Sequence, residues 1–446
     1  EMLCEVRRAA GACGAHTRRA LLSSSASTSA VDAQVLPGPA GAAHVARELE
    51  RGAHNYAPLP VVLTRGSGAV VFDTQDRAYI DCLAGYSAVN QGHCHPRIVD
   101  ALVQQAKTLG LTSRAFYNDK LGLFEEKLTN MFGFDKALLM NTGVEAGETA
   151  VKLARKWGHE VKGVADGSQR VIFARGNFWG RTLGAISSST DPESFGGYGP
   201  LMPGYAIVDY NDAGEALEKE LRKPETVAFM VEPIQGEAGV VVPDKGYLSE
   251  VKRLCREHNV LLIADEVQTG LGRTGARICC DHEAIRPDIL VLGKALSGGT
   301  YPVSAALADD AVMMRVRPGQ HGSTYGGNPT AAAVGMAALD VLEDEGLAER
   351  AHALGKIFRQ GLREIMAESG GRVRDVRGKG LLNAVEVDPS VCGRSAWDAC
   401  LELAERGGVL AKPTHDTVIR LSPPLVVSET QLNQVLEALR PVLTAL

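Results

Sequence analysis

Four apolar residues in a row, Ile289 to Leu292, lead into Gly293 and Lys294, and Gly298 and Gly299 close the stretch. A run with no alternation offers water no face, so it predicts a short buried strand. Similar strands are predicted at 69–73 and 79–81, as a hairpin, and at 137–140, 171–174, 205–208, 227–232 and 260–264. Between them the spacing turns helical, at 97–109, at 119–132, from about Val144 onward, and over 331–368. Ala150, Leu153, Ala154 and Trp157 share one helix face. Ser428 and Gln431 read as a capping box ahead of Leu432, Val435, Leu436 and Leu439. Apolar strands alternating with helices predict an α/β fold, with a mostly parallel central sheet covered by helices on both faces. A smaller α+β domain is expected from the N- and C-terminal segments. The boundaries read as a leader at 1–34, an N-terminal segment at 35–95, a large domain at 96–335 and a C-terminal domain at 336–446.

Composition narrows the class of partner. The 446 residues carry 47 Lys and Arg against 53 Asp and Glu, a net charge of −6, which disfavours nucleic acid and anionic membrane as partners. No apolar run approaches the roughly 18 residues that span a bilayer. Nine cysteines, odd in number and with no CxxC, fit free thiols in a reducing compartment. The leader differs from the rest. Arg7, Arg8, Arg18 and Arg19 and a Ser-Ala-Thr tract with few acids suit an organelle-targeting segment, pointing to the mitochondrial matrix. An unstructured leader on a cytoplasmic protein is the alternative. His93-Cys94-His95 and Cys279-Cys280-Asp281-His282 offer metal-ligand types, but adjacent donors rarely close one tetrahedral site, so no metal is expected.

The unusual residues fall just after predicted strands, where open α/β sheets place ligands. Asn141-Thr142-Gly143-Val144-Glu145 opens a helix through a glycine turn, which is either a plain N-cap or a phosphate cradle of free N–H groups. Gly176 to Arg181 sets Phe178 and Trp179 beside an arginine, as a ring platform with an anion clamp would. Glu232 and Glu237 read as rim charges. Asp265, at the end of an apolar strand, needs a cationic partner such as a heterocyclic N–H⁺, or else a helix N-terminus. Lys294 is either a snorkelling strand-end lysine or a desolvated amine that forms a Schiff base with an aldehyde. Cradle, platform, acid and lysine together are the parts that pyridoxal 5′-phosphate requires.

The words Ser87 to Pro96, Met140 to Gly158, Val231 to Pro243 and His321 to Pro329 resemble the fold type I pyridoxal-phosphate aminotransferases that act on ω-amino groups. The resemblance runs from about His54 to the C-terminus and is loose near Asp388 to Trp397. It implies that Lys294 holds the cofactor and shuttles a proton, that Asp265 keeps the ring nitrogen protonated, and that Gln268 bonds the ring hydroxyl. Phe178 would stack on the ring, and Thr142, Gly143 and Val144 would bind the phosphate. Ser323 and Thr324 would reach the phosphate of a neighbouring subunit's cofactor, which implies a homodimer. For substrates it implies Arg181 with Tyr56 on the α-carboxylate of L-ornithine, Tyr86 lining the pocket, and Arg420 on the α-carboxylate of glutamate. Glu237 would neutralise Arg420 until 2-oxoglutarate arrives. The implied reaction is ping-pong transfer of ornithine's δ-amino group to 2-oxoglutarate, giving glutamate 5-semialdehyde and glutamate. N-Acetylornithine or 4-aminobutyrate are the alternative donors. An aminomutase, a decarboxylase or a silent binding protein on the same scaffold are the remaining rivals.

Overall fold

A computed structural model describes residues 38–444, so the leader expected at 1–34 lies outside the described residues. The chain forms two units. Of the described residues, the first takes those up to Thr64 together with Phe72–Arg77, and the second takes Arg65–Val71 and those from Ala78 on. The described part of the first unit holds a helix, Gly38–Arg51, and a turn in which Asp73 accepts from the N–H groups of Gln75 and Arg77.

The second unit is built on a seven-stranded sheet. Its strands are β1 (Lys136–Met140), β2 (Arg170–Ala174), β3 (Tyr205–Val208), β4 (Thr226–Val231), β5 (Leu261–Asp265), β6 (Ile289–Leu292) and β7 (Ser304–Ala308). The order is β1-β7-β6-β5-β4-β2-β3. β7 runs antiparallel to both neighbours, and every other pairing is parallel. The sheet is therefore mostly parallel, as the apolar runs predict. β4, β5, β6 and β7 are buried at every residue, which is why they show no alternation. Separate apolar clusters cover the two faces, one containing Leu153, Trp157 and Ile263, the other Phe229, Leu248 and Leu262. Sequence pattern missed β7, because Ser-Ala-Ala-Leu-Ala carries little strand propensity and is held by its neighbours.

The long-helix stretch resolves into Pro329–Asp344 and Leu347–Glu368, separated by Gly346 in left-handed backbone. A second sheet, order β8-β9-β11-β10, follows with β8 (Val373–Lys379), β9 (Leu382–Val387), β10 (Lys412–Thr414) and β11 (Val418–Leu421). The capping box forms as read: Ser428 N–H donates to Gln431 Oε1 and Gln431 N–H to Ser428 Oγ.

One contact fixes how closely the helix Gly143–Glu160 sits on the sheet. A Cβ at Gly158 would lie 2.1 Å from Val227 Cγ1 on β4. Gly158→Ala is therefore expected to destabilise the protein by about 1–3 kcal/mol through overpacking, despite alanine's better helix propensity. Urea unfolding would check this, and an unchanged midpoint would count against it.

Candidate active site

The C-terminal ends of β1, β2, β4, β5 and β6 converge on two cavities that share Gly143 and Lys294. One, about 220 Å³, also meets Phe178, Glu232, Asp265 and Gln268. The other, about 310 Å³, is lined by Ala88, Asn141 and Tyr301 among others.

The cradle follows β1. Thr142 caps the helix Gly143–Glu160, accepting from Glu145 N–H, while Glu145 Oε2 accepts from the N–H groups of Thr142 (2.8 Å) and Asn141 (3.0 Å). Burial opposes the Glu145 charge, but these bonds hold its pKa below the usual carboxylate range. Among the described residues nothing accepts from the N–H groups of Gly143 and Val144. The first free donors of an 18-residue helix thus open on the cavity. Gly143 is required there, since a Cβ would lie 2.9 Å from Val267 Cγ1.

The two aromatics after β2 divide. Trp179 is buried, stacks on Phe173 at 5.6 Å and donates to Ser188 Oγ at 2.8 Å. Phe178 lines the cavity, with the exposed Arg181 guanidinium 5.5 Å from its ring centroid. Arg181 has a long bond to Ser194 Oγ, 3.4 Å, and among the described residues no carboxylate.

Three carboxyls surround Lys294. Asp265 is buried at the end of β5 and accepts from Val267 N–H at 3.0 Å. Burial pushes its pKa up to about 6, against the pull of that N–H and of Lys294. Glu232 accepts from Phe178 N–H (3.0 Å) and Gly236 N–H (3.1 Å), and burial, then Asp265, push it up to about 8. Read from sequence as a rim charge, Glu232 is in fact 7% exposed. The signal available was its place directly after an all-apolar strand.

Glu237 differs. Burial works against its charge, but Arg420 and Lys294 hold its pKa below normal. Its Oε1 accepts from Arg420 Nη1 at 2.6 Å and from Gln268 Nε2 at 3.2 Å. Arg420, fully buried on β11, also donates to Gln268 Oε1, and its Cζ lies 5.3 Å from the Tyr86 ring centroid. Gly236 makes room for this arrangement, since a Cβ there would collide with the Gln268 amide.

Lys294 is itself in left-handed backbone, φ 42°, and its pKa is lowered chiefly by burial, with Arg420 adding and the three carboxyls opposing. Tyr86 belongs to a left-handed run, Ala84 to Ser87, with φ between 51° and 71°. Such backbone in non-glycine residues concentrates where function over-determines it. Asp81 anchors the run by accepting from the N–H groups of Leu83 (2.8 Å) and Ala84 (2.9 Å).

The remaining expected residues are placed as follows. Ser323 Oγ accepts from Asn141 Nδ2 at 2.9 Å, beside the cradle, while Thr324 is exposed. Tyr56 lies in the first unit with its ring exposed.

Free helix-start donors for a phosphate, a ring platform, a buried carboxyl with no ion pair among the described residues and a desolvated lysine fit pyridoxal 5′-phosphate. Residues 51–443 match the model of the class-III aminotransferases, and the chain belongs to that family, whose cofactor is pyridoxal phosphate. It is 57% identical over 395 residues to the mitochondrial ornithine aminotransferase of Drosophila melanogaster, covering 89% of this chain and 90% of that protein. Among solved structures, the ornithine aminotransferase from Toxoplasma gondii ME49 superposes with a TM-score of 0.89 at 47% identity, covering 91% of this chain and 95% of that one. An acetylornithine aminotransferase from Elizabethkingia anophelis gives 0.82 at 50% identity, covering 91% and 99%.

Proposed function

We propose that the protein transfers the δ-amino group of L-ornithine to 2-oxoglutarate by a ping-pong mechanism, yielding glutamate 5-semialdehyde and glutamate. The observation that carries this reading is the Arg420–Glu237 pair beside Lys294. An arginine placed for an α-carboxylate is neutralised by the chain's own carboxylate, so a donor is not drawn in by its amino-acid end. The other end of ornithine, the δ-amine, is then offered to the site. When 2-oxoglutarate arrives, its carboxylate replaces Glu237 on Arg420, so the fully buried Arg420 charge is never left unpaired.

Bound pyridoxal phosphate supplies an aldehyde for amines and a ring that draws electrons from the reacting carbon. Lys294 would hold the cofactor through its Nζ, and the same amine would take a proton from, and return it to, the reacting carbon of the substrate. Asp265 would hold the ring nitrogen and favour its protonated form, which in turn would stabilise the buried carboxylate. Gln268 would bond the ring hydroxyl, Phe178 would stack on the ring, and Thr142, Gly143 and Val144 would bind the phosphate. Arg181 takes the α-carboxylate of ornithine and Tyr86 the wall of the pocket. Burial, with the Arg420 cation adding to it, lowers the Lys294 pKa and supports its role as a neutral amine.

We further infer a homodimer in which Ser323 and Thr324 serve the partner's phosphate. Exposed Phe116 (72%), Tyr117 (96%) and Tyr325 (51%) support a covered face. The division at 34, 95 and 335 is proposed for the domains, with 96–335 as the cofactor-binding part. Mitochondrial names among the relatives support a matrix location.

The test is a half-reaction followed by loss of the cofactor's visible absorption, with no oxoacid present. L-Ornithine, N-acetylornithine and 4-aminobutyrate are offered separately, and ornithine is expected to react fastest by a wide margin. The acetylornithine aminotransferase relative makes N-acetylornithine the informative competitor. If it wins, the substrate assignment fails while the chemistry stands.

A further inference from the structure

His321 opens the loop that carries Ser323 and Thr324, and no role in the reaction above uses it. Its bonding pattern leaves one protonation state. Lys152 Nζ, a donor only, lies 2.9 Å from His321 Nδ1, so Nδ1 must accept. His321 Nε2 lies 2.7 Å from Thr149 Oγ1, and the Thr149 hydroxyl donates to the Glu145 carbonyl at 2.7 Å. Nε2 is therefore the N–H that donates to Thr149, and the ring is neutral. Lys152, Thr149 and Glu145 all belong to the helix whose first N–H groups form the cradle. A second tie, Asn141 to Ser323 Oγ, fixes the same loop at the start of that helix. Ser323 Oγ in turn accepts from Tyr325 and Gly326 N–H, closing the loop on itself.

We propose that neutral His321 is a positioning residue that latches the loop 321–326 onto the cradle helix, so that protonating the imidazole loosens the loop and weakens retention of pyridoxal phosphate. The inference rests on the part proposed above for Ser323 and Thr324 at the phosphate. The charged groups facing the ring are Lys152 and Glu145. A proton on Nδ1 would point at the Lys152 ammonium, and Lys152 could no longer donate there. Burial, then Lys152, lower the His321 pKa, with Glu145 opposing. The sign follows. The latched imidazole has the lower pKa, so the latch is at full strength above the ordinary histidine value of about 6.5 and is lost as pH falls through the latched value. Each unit of difference between latched and free imidazole is worth about tenfold in binding once both are protonated.

The experiment measures the equilibrium dissociation constant of pyridoxal phosphate by dialysis of the holoenzyme at about pH 5 to 8. Wild type is expected to lose affinity in a one-proton step on the acid side, as the imidazole gains its proton. His321→Gln keeps a donor towards Thr149 and does not titrate, so it should lack that step. Lys152→Met removes the cation that resists protonation, so the midpoint should move to higher pH. A step that persists unchanged in His321→Gln belongs to another group and overturns the proposal. So does an unmoved midpoint in Lys152→Met, a readout that simple loosening of the fold would not produce. Thr324→Ala separates the underlying reading. It should weaken binding at every pH and leave the step in place, whereas wild-type binding would reject the role of Thr324 and leave the latch acting through Ser323 alone.

Discussion

Lys294→Ala should abolish transamination of ornithine, lowering turnover by about four orders of magnitude or more, while leaving the fold intact. A positioned proton carrier alone contributes about 10²–10⁴-fold, and this residue is also assigned the covalent hold on the cofactor. Retention of the fold follows from its electrostatics. A lysine whose pKa is lower folded than unfolded costs stability at neutral pH, because folding desolvates its charge. That cost is relieved only as pH rises through the lowered value. The alanine variant should therefore melt at the same temperature or higher. Ornithine-dependent glutamate formation and a thermal melt decide the matter together. Activity near the wild-type level would remove Lys294 from the mechanism, and a collapsed melt would show that it is structural.

Glu237→Ala should redirect the enzyme towards glutamate as amino donor. Arg420 is fully buried, and among the described residues it donates to Glu237 and to the side-chain amide oxygen of Gln268. Stripping one member of a buried pair costs about 3–5 kcal/mol. A substrate α-carboxylate can recover part of that by taking the empty place. Only about 1.4 kcal/mol of differential recovery is needed for a tenfold change. The ratio of kcat/KM for glutamate to that for ornithine should therefore rise at least about tenfold. An unchanged ratio would show that Glu237 does not gate Arg420. Glu237→Gln refines the test, since it keeps the volume and one acceptor but removes the charge.

Much of this site was legible because its chemistry forces odd residues into conspicuous places. A lysine and an aspartate at the ends of wholly apolar strands contradict their surroundings, and a glycine turn before a helix marks a cradle. The pairing of Arg420 with Glu237 joins residues far apart in the chain and came from family resemblance, since no local pattern announces it. Glu232 was misjudged because exposure at a strand end depends on what lies across it, here Phe178 and the loop at Gly236. The left-handed run through Tyr86 was invisible for a similar reason. Only Gly85 advertises such backbone, and Asp81, which stabilises it, looks like any strand-end acid. β7 escaped because alanine-rich strands are specified by the slot they fill.

That slot has a consequence for how the protein is made. β1, which carries the phosphate cradle, pairs within the sheet only with β7, matching residue 140 to 304 and 136 to 308. A ribosome-bound chain that has not yet emerged beyond residue 308 has no sheet partner for β1, and the cradle is then held through the packing of its helix on β4, β5 and β6. Closing so long a loop is entropically slow, and meanwhile strand edges stay open to aggregation. The strand that leads into the phosphate cradle therefore gains its sheet partner only once residues 304–308 have joined β6.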